Sequence, residues 1–119
     1  MGSGTYRPPP PGPLQHVLHF IDENLAGDLS LATLGRKAKL GARQLHRAFV
    51  AETGESPRAY VESRRVAAAA RLLESSALPL AIVAERCGLA PGATFTRAFR
   101  RVIGVTPARY RATSRAASS

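Results

Sequence analysis

Residues 45–60 of this chain return fifty positions later. Arg47-Ala48-Phe49, Gly54, Pro57 and Tyr60 recur as Arg97-Ala98-Phe99, Gly104, Pro107 and Tyr110, and Ser56 is matched by the other small hydroxyl residue, Thr106. Six identities in these sixteen positions compare with about one between unrelated stretches of ordinary composition. The chain holds two copies of one unit, so its fold must build the same local turn twice. Its 119 residues allow one domain, or two very small subdomains sharing a core.

The repeated turn can be read from its chemistry. Gly54-Glu55-Ser56-Pro57 joins a glycine suited to positive φ beyond a helix, a serine N-cap and a proline for the next first turn. Gly104-Val105-Thr106-Pro107 keeps all three roles. Each copy thus ends one helix and begins another. In front of each turn lies a helix with apolar residues at i and i+4, Leu45 and Phe49 over about 42–52, then Phe95 and Phe99. Arg43, Gln44, His46 and Arg47 fall on the other faces of the first.

The remaining helices follow from periodicity. Leu14, Val17, Leu18, Ile21 and Leu25 predict a first helix after Pro13, with Gly27 as its stop. Asp28 and Ser30 offer caps for a second, built on Leu31, Leu34 and Ala38 and ending near Leu40-Gly41. About residues 58–75, with Ala67 to Ala70 and Leu72-Leu73 and no internal Gly or Pro, predict a long helix between the copies. After Pro79, Leu80, Val83, Ala84 and Cys87 give a short helix and Gly88 to Gly92 a turn; a last helix starts at Pro107 and fades into Ser114 to Ser119. No segment sustains period-two alternation, so the fold class is all-α, of about seven helices.

Charge narrows the partner. Seventeen Lys plus Arg against eight Asp plus Glu give +9 and a pI near 11.3, and every one of the basic residues except Lys37 and Lys39 is arginine. The planar guanidinium fork suits phosphate oxygens and guanine edges, which favours nucleic acid. The arginines are spread over several helices instead of lining one amphipathic face, which argues against a membrane-surface role. With Cys87 alone there is no internal disulfide and no thiolate metal cluster, and a buried small hydrophobe is the plainer reading of that thiol than a redox sensor. His16 and His19 have no ligand partner at suitable spacing. No metal, cofactor or catalytic residue is expected, because no catalytic dyad or phosphate-cradling glycine loop is present. There is no apolar run long enough for a membrane span and no signal-peptide pattern, so the expected location is cytoplasmic. Met1-Gly2-Ser3-Gly4 reads as an expression scar and Pro8 to Pro11 as a stiff linker, making 1–13 disordered; a disordered tail is expected at 113–119.

A short helix, a tight turn and a second helix with polar side chains outside describe a helix-turn-helix. Two such units, strong positive charge and a connecting helix point to DNA. The order Asn24-Leu25, Leu29-Ser30-Leu31, Leu34, Leu45, Arg47, Phe49, Gly54, Ser56-Pro57, Tyr60, Arg65-Val66, Leu72-Leu73, Val83-Ala84, Cys87-Gly88-Leu89, Phe95, Arg97-Ala98-Phe99-Arg100-Arg101, Gly104, Thr106-Pro107 and Tyr110-Arg111 resembles the DNA-binding domain of AraC/XylS-family transcription regulators. The resemblance covers about 14–112. It implies a first unit at about 14–57, a linker helix at about 58–75 and a second unit at about 78–112, binding successive major-groove segments on one face of double-stranded DNA. It also implies that effector binding and dimerisation lie in a separate domain absent from this chain, and that the isolated domain is monomeric.

Placed on the family's pattern, the base-reading positions fall on Arg43, Gln44, His46 and Arg47 in the first unit, and on Gly92, Ala93, Thr94, Thr96 and Arg97 in the second. Arginine pairs bidentately with guanine, His46 can donate to an acceptor, and threonine can hydrogen-bond or touch a thymine methyl. Arg47 and Arg97 sit beside core aromatics, leaving base contact, phosphate contact and bracing of the fold open. Gly92 and Ala93 have little to extend, so the second unit leans toward backbone and shape recognition. Ser56, Arg58, Arg100, Arg101, Thr106, Arg109 and Arg111 are the phosphate candidates. Competing readings are a DNA binder without sequence preference and a basic helical module meeting an acidic protein.

Overall fold

The computed structural model describes residue 12 and residues 14–118, in seven helices: α1 Gln15–Glu23, α2 Leu31–Ala38, α3 Ala42–Thr53, α4 Pro57–Ser75, α5 Leu80–Arg86, α6 Ala93–Ile103 and α7 Pro107–Ser118. Among the described residues every regular element is a helix. The tag and linker expected at 1–13 lie outside the described residues except for Gly12, as does Ser119.

The repeated turn is built twice in the same way. Gly54 and Gly104 close α3 and α6 at φ of 81° and 101°, each returning its N–H to the carbonyl four residues back. The Ser56 hydroxyl accepts from Ala59 N, and the Thr106 hydroxyl accepts from Arg109 N, both at 3.2 Å. Phe49 meets Tyr60 edge to face with ring centroids 5.7 Å apart, and Phe99 meets Tyr110 in the same manner at 5.5 Å. Edge-to-face pairs of this kind add about 1 kcal/mol to the burial of the rings. These contacts clamp α3 to α4 and α6 to α7.

Among the described residues the buried apolar side chains form two cores, not one. Leu14, Val17, Ile21, Leu29, Leu34, Leu45, Phe49 and Val61 form the first. The second comprises Val66, Ala69, Ala70, Leu73, Val83, Ala84, Cys87, Leu89, Phe95, Ala98 and Phe99. The long helix α4 enters both, supplying Val61 to one and Val66 onward to the other. Its nineteen residues span about 28 Å. Within the alanine run, Ala69 and Ala70 are buried in the second core, and their small side chains let the residues of α5 and α6 in that core pack close.

Two boundaries differ from the sequence reading. The first helix stops at Glu23 before reaching Leu25, because Asn24 turns back on it: its N–H reaches Ile21 O at 3.1 Å and its side-chain amide donates to Phe20 O at 2.9 Å. Leu25 therefore lies in the loop between α1 and α2. At the other end α7 continues to Ser118, past the residue 112 at which order was expected to end. Arg115 Nη2 donates to Ser76 O at 3.0 Å, tying the extra turn to the end of α4.

Candidate nucleic-acid interface

Burial of one side of α3 fixes what its other side presents. With Leu45 and Phe49 fully buried, Arg43, Gln44, His46 and Arg47 are all exposed. The same holds in α6, where Phe95, Ala98 and Phe99 face inward and Ala93, Thr94, Thr96 and Arg97 face solvent, with Gly92 exposed just before the helix. From 51 to 60 and from 101 to 110, the pattern of buried and exposed positions is the same residue for residue. The two candidate reading surfaces are therefore presented by equivalent scaffolds. Neither α3 nor α6 has a side-chain N-cap; each starts from a glycine, Gly41 or Gly92, leaving the first-turn N–H groups without a side-chain acceptor.

Side chains on the two surfaces are unequal. That of α3 carries two guanidinium groups, an imidazole and an amide; that of α6 carries one guanidinium and two hydroxyls. No Cβ neighbour lies within 4 Å at Gly92, so the surface there is open, not filled from another element.

The phosphate candidates divide. Arg58, Arg100 and Arg109 are exposed. Ser56 and Thr106 use an oxygen lone pair as helix caps, which leaves the hydroxyl proton able to donate outward. Arg101 is bound by Glu62 of α4 through both Nε, at 3.3 Å, and Nη2, and that pairing raises it further above the ordinary guanidinium value. Arg111 departs most from the expectation: it turns inward, donating from Nη1 to Leu78 O at 2.7 Å and from Nε to Leu73 O at 3.4 Å, with Nη2 buried. It satisfies Leu73 O in the last turn of α4, where the helix leaves its final C=O groups without partners, and Leu78 O in the loop that leads to α5.

Sequence reasoning passed over a cluster between the units. Arg65, at the middle of α4, donates from Nε to Leu25 O at 2.8 Å and from Nη2 to Gly27 O at 3.1 Å. Burial lowers its pKa. Beside it, Arg64 Nε pairs with Asp22 Oδ1 at 2.8 Å, and that bond raises the Arg64 value. Gly88, in the turn after α5, lies so close that a Cβ there would stand 2.1 Å from Leu25 O and 2.7 Å from Arg65 Nε. Gly88 also has a φ of +82°. The glycine was legible only as a turn residue, since nothing local reveals a backbone sixty residues away.

Other chemistry is sparse. Among the described residues there is no group of three or more His, Cys, Asp or Glu placed to hold a metal ion, and no helix is long and apolar enough to cross a membrane. Cys87 is buried, and desolvation raises its thiol pKa.

Comparisons with known proteins agree with this geometry. A family model described as a helix-turn-helix domain matches residues 34–113. The multiple antibiotic resistance protein MarA of Escherichia coli is 34% identical over 101 residues, covering 85% of this chain and 80% of MarA. The probable transcriptional regulator LumQ of Photobacterium leiognathi is 34% identical over 92 residues, 77% of this chain but 37% of LumQ, so the chain spans well under half of that relative. Among solved structures, the DNA-binding domain of AdpA in complex with a target DNA superposes with a TM-score of 0.83 at 36% identity, covering 87% of this chain and 94% of that one. The C-terminal domain of AraT, a response regulator from Geobacillus stearothermophilus, gives 0.81 at 28% identity, covering 89% and 88%.

Proposed function

The chain belongs to the AraC-type helix-turn-helix family of transcription regulators, and on that premise we propose that it is a sequence-specific reader of double-stranded DNA whose α3 and α6 enter successive major-groove segments. The observation that carries this is the presentation of two polar helix faces by equivalent scaffolds on an arginine-rich chain. The AdpA domain, solved on its target DNA, has the same arrangement of helices.

In this reading Arg43, Gln44, His46 and Arg47 read bases in one segment, and Gly92, Ala93, Thr94, Thr96 and Arg97 in the next. Bidentate arginine to guanine supplies most of the discrimination. The α6 face, with less to extend, contributes through threonine contacts, open backbone and the local shape of the groove. Arg58, Arg100 and Arg109, with the Ser56 and Thr106 hydroxyls, hold phosphates on either side and set the register. The reading unit is 14–112, its two halves joined by α4. Effector binding and dimerisation belong to a separate domain of the protein, and the domain works in the cytoplasm, where its DNA is.

Selection of bound sequences from a random duplex library tests the reading. Enrichment of two patches about one helical turn apart is the expected result. Equal affinity for selected and random DNA would leave only charge-driven binding and refute it.

A further inference from the structure

Two bodies joined by one helix can still twist and bend about it; a second point of contact off the helix axis removes that freedom. Such a contact exists here, at the carbonyl of Leu25. Arg65 holds that oxygen from α4 at 2.8 Å, and Gly88 of the second unit packs its backbone against the same group. The neighbouring ties cross over one another along the boundary between the two cores. Glu62, next to the first-core residue Val61, bonds Arg101 of the second unit, while Arg64 and Arg65, next to the second-core residue Val66, bond Asp22, Leu25 and Gly27 of the first. Each unit is thereby anchored on the far side of the boundary from its own core.

We propose that the Arg65–Leu25–Gly88 junction is the spacing gauge of this protein: it fixes the orientation of α3 relative to α6 and so decides which separation between two half-sites is accepted. The proposal rests on the DNA reading above and concerns residues that touch no DNA in it. The physics is geometric. Moving one half-site by a base pair displaces it by about 3.4 Å and rotates it by about 35° around the duplex. A rigid pair of readers loses one set of contacts under that displacement, whereas a pair hinged on α4 alone follows it. Arg65 and Gly88 are positioning residues. Any bulkier residue at Gly88 strikes the Leu25 backbone as well as the Arg65 side chain, so the contact transmits displacement directly between the units.

Two measurements test this on the chain as it stands. In the first, wild type, Arg65→Met, Arg65→Lys and Gly88→Ala are titrated against duplexes carrying the selected half-sites at the natural spacing and with one or two base pairs inserted or removed. Wild type should lose about tenfold or more per base pair of displacement, as it would for a mismatched contact. Arg65→Met should flatten the profile to within about threefold while binding a duplex with only the first half-site as wild type does, and Arg65→Lys, which keeps a single donor nitrogen, should restore part of the steepness. In the second, residual dipolar couplings are recorded for the free chains. The two units should share one alignment tensor in wild type and require two in Arg65→Met or Gly88→Ala. An unchanged spacing profile in Arg65→Met, or a single tensor in both variants, overturns the proposal. Should wild type select no two-part site, the DNA reading and the gauge built on it both fall, with a shared tensor showing that the junction itself is intact. Where Gly88→Ala does not purify, Arg65→Met, which keeps the half-buried stem, carries the test.

Discussion

Arg111 Nη1 donates to the carbonyl of Leu78 at 2.7 Å, so an arginine in the most basic part of the chain works as an internal brace. Its Nε points to Leu73 O as well, and together these bonds fasten α7 to the last turn of α4 and to the loop between α4 and α5. Replacing Arg111 by methionine keeps the apolar stem and removes the donors. Urea unfolding should show a loss of about 2 kcal/mol, the range for hydrogen bonds from a charged group. The salt dependence of DNA binding should not change, and a lowered salt slope in the variant would instead mark Arg111 as a phosphate contact.

Arg109 lies two residues away and is exposed. Arg109→Ala should leave stability near wild type and weaken binding to all duplexes alike, with the slope of log K against log salt concentration falling by about one. Affinities measured between about 50 and 200 mM salt decide this. A change confined to one sequence would mean that Arg109 reads a base.

Arg47 and Arg97 occupy equivalent places in the two repeats, each exposed beside a buried phenylalanine. Arg47→Ala and Arg97→Ala should each cost about tenfold to a hundredfold in affinity and relax preference at different positions of the site. A binding array with single-base variants provides the map. Relaxation at the same position for both variants would contradict two readers on two segments.

The caps at Ser56 and Thr106 make the same bond at the same length. Ser56→Ala and Thr106→Ala should each destabilise by about 1 kcal/mol, the usual cost of a lost hydroxyl cap. Because α4 enters both cores while α7 packs at one end, Ser56→Ala should lower protection of backbone amides from hydrogen exchange in both units. For Thr106→Ala the loss should be confined to the second unit.

Asp28 holds the start of α2. Its carboxylate accepts from the Thr33 hydroxyl at 2.7 Å and from Ser30 N at 3.0 Å, and these bonds, the Thr33 bond first, lower its pKa from 3.8 to about 2. A carboxylate with a depressed folded pKa stabilises the native state above its unfolded value and loses that contribution as pH falls through the folded value. The contribution of Asp28 should therefore be constant above about pH 5 and vanish between 3.8 and about 2. Asp28→Asn should remove this part of the acid response, which unfolding measured from pH 6 to pH 2 would reveal. An identical acid response in the variant would show that the network does not persist in solution.

Much of this architecture is local chemistry written along the chain. The glycine stop, the hydroxyl cap, the following proline and the phenylalanine–tyrosine pair each work within about a dozen residues, so both copies of the turn could be placed from residue type and spacing. Exposure of Arg43, Gln44, His46, Arg47, Thr94, Thr96 and Arg97 follows likewise from burial of Leu45, Phe49, Phe95 and Phe99, because a helix with one face inside has its other face outside. Boundaries were less legible. Asn24 ends α1 through a side-chain bond that competes with a favourable apolar spacing at Leu25, and α7 outlasts its pattern because Arg115 finds the carbonyl of Ser76, the C-cap of α4.

What the sequence alone determined, then, is the repeated unit, its helices and the faces they expose, all consequences of interactions within a turn or two. Only the tertiary structure decided what each arginine is for and how the two units are set against each other. Arg65, Arg101, Arg109 and Arg111 are the same residue in similar basic surroundings, yet one holds the loop between α1 and α2, one pairs with Glu62, one faces solvent and one braces a helix end. A guanidinium on a long flexible stem takes its role from whichever carbonyl, carboxylate or solvent the fold brings within reach. Gly88 depends in the same way on Leu25, sixty-three residues earlier in the chain, because contact between distant backbones exists only once both cores have formed around α4.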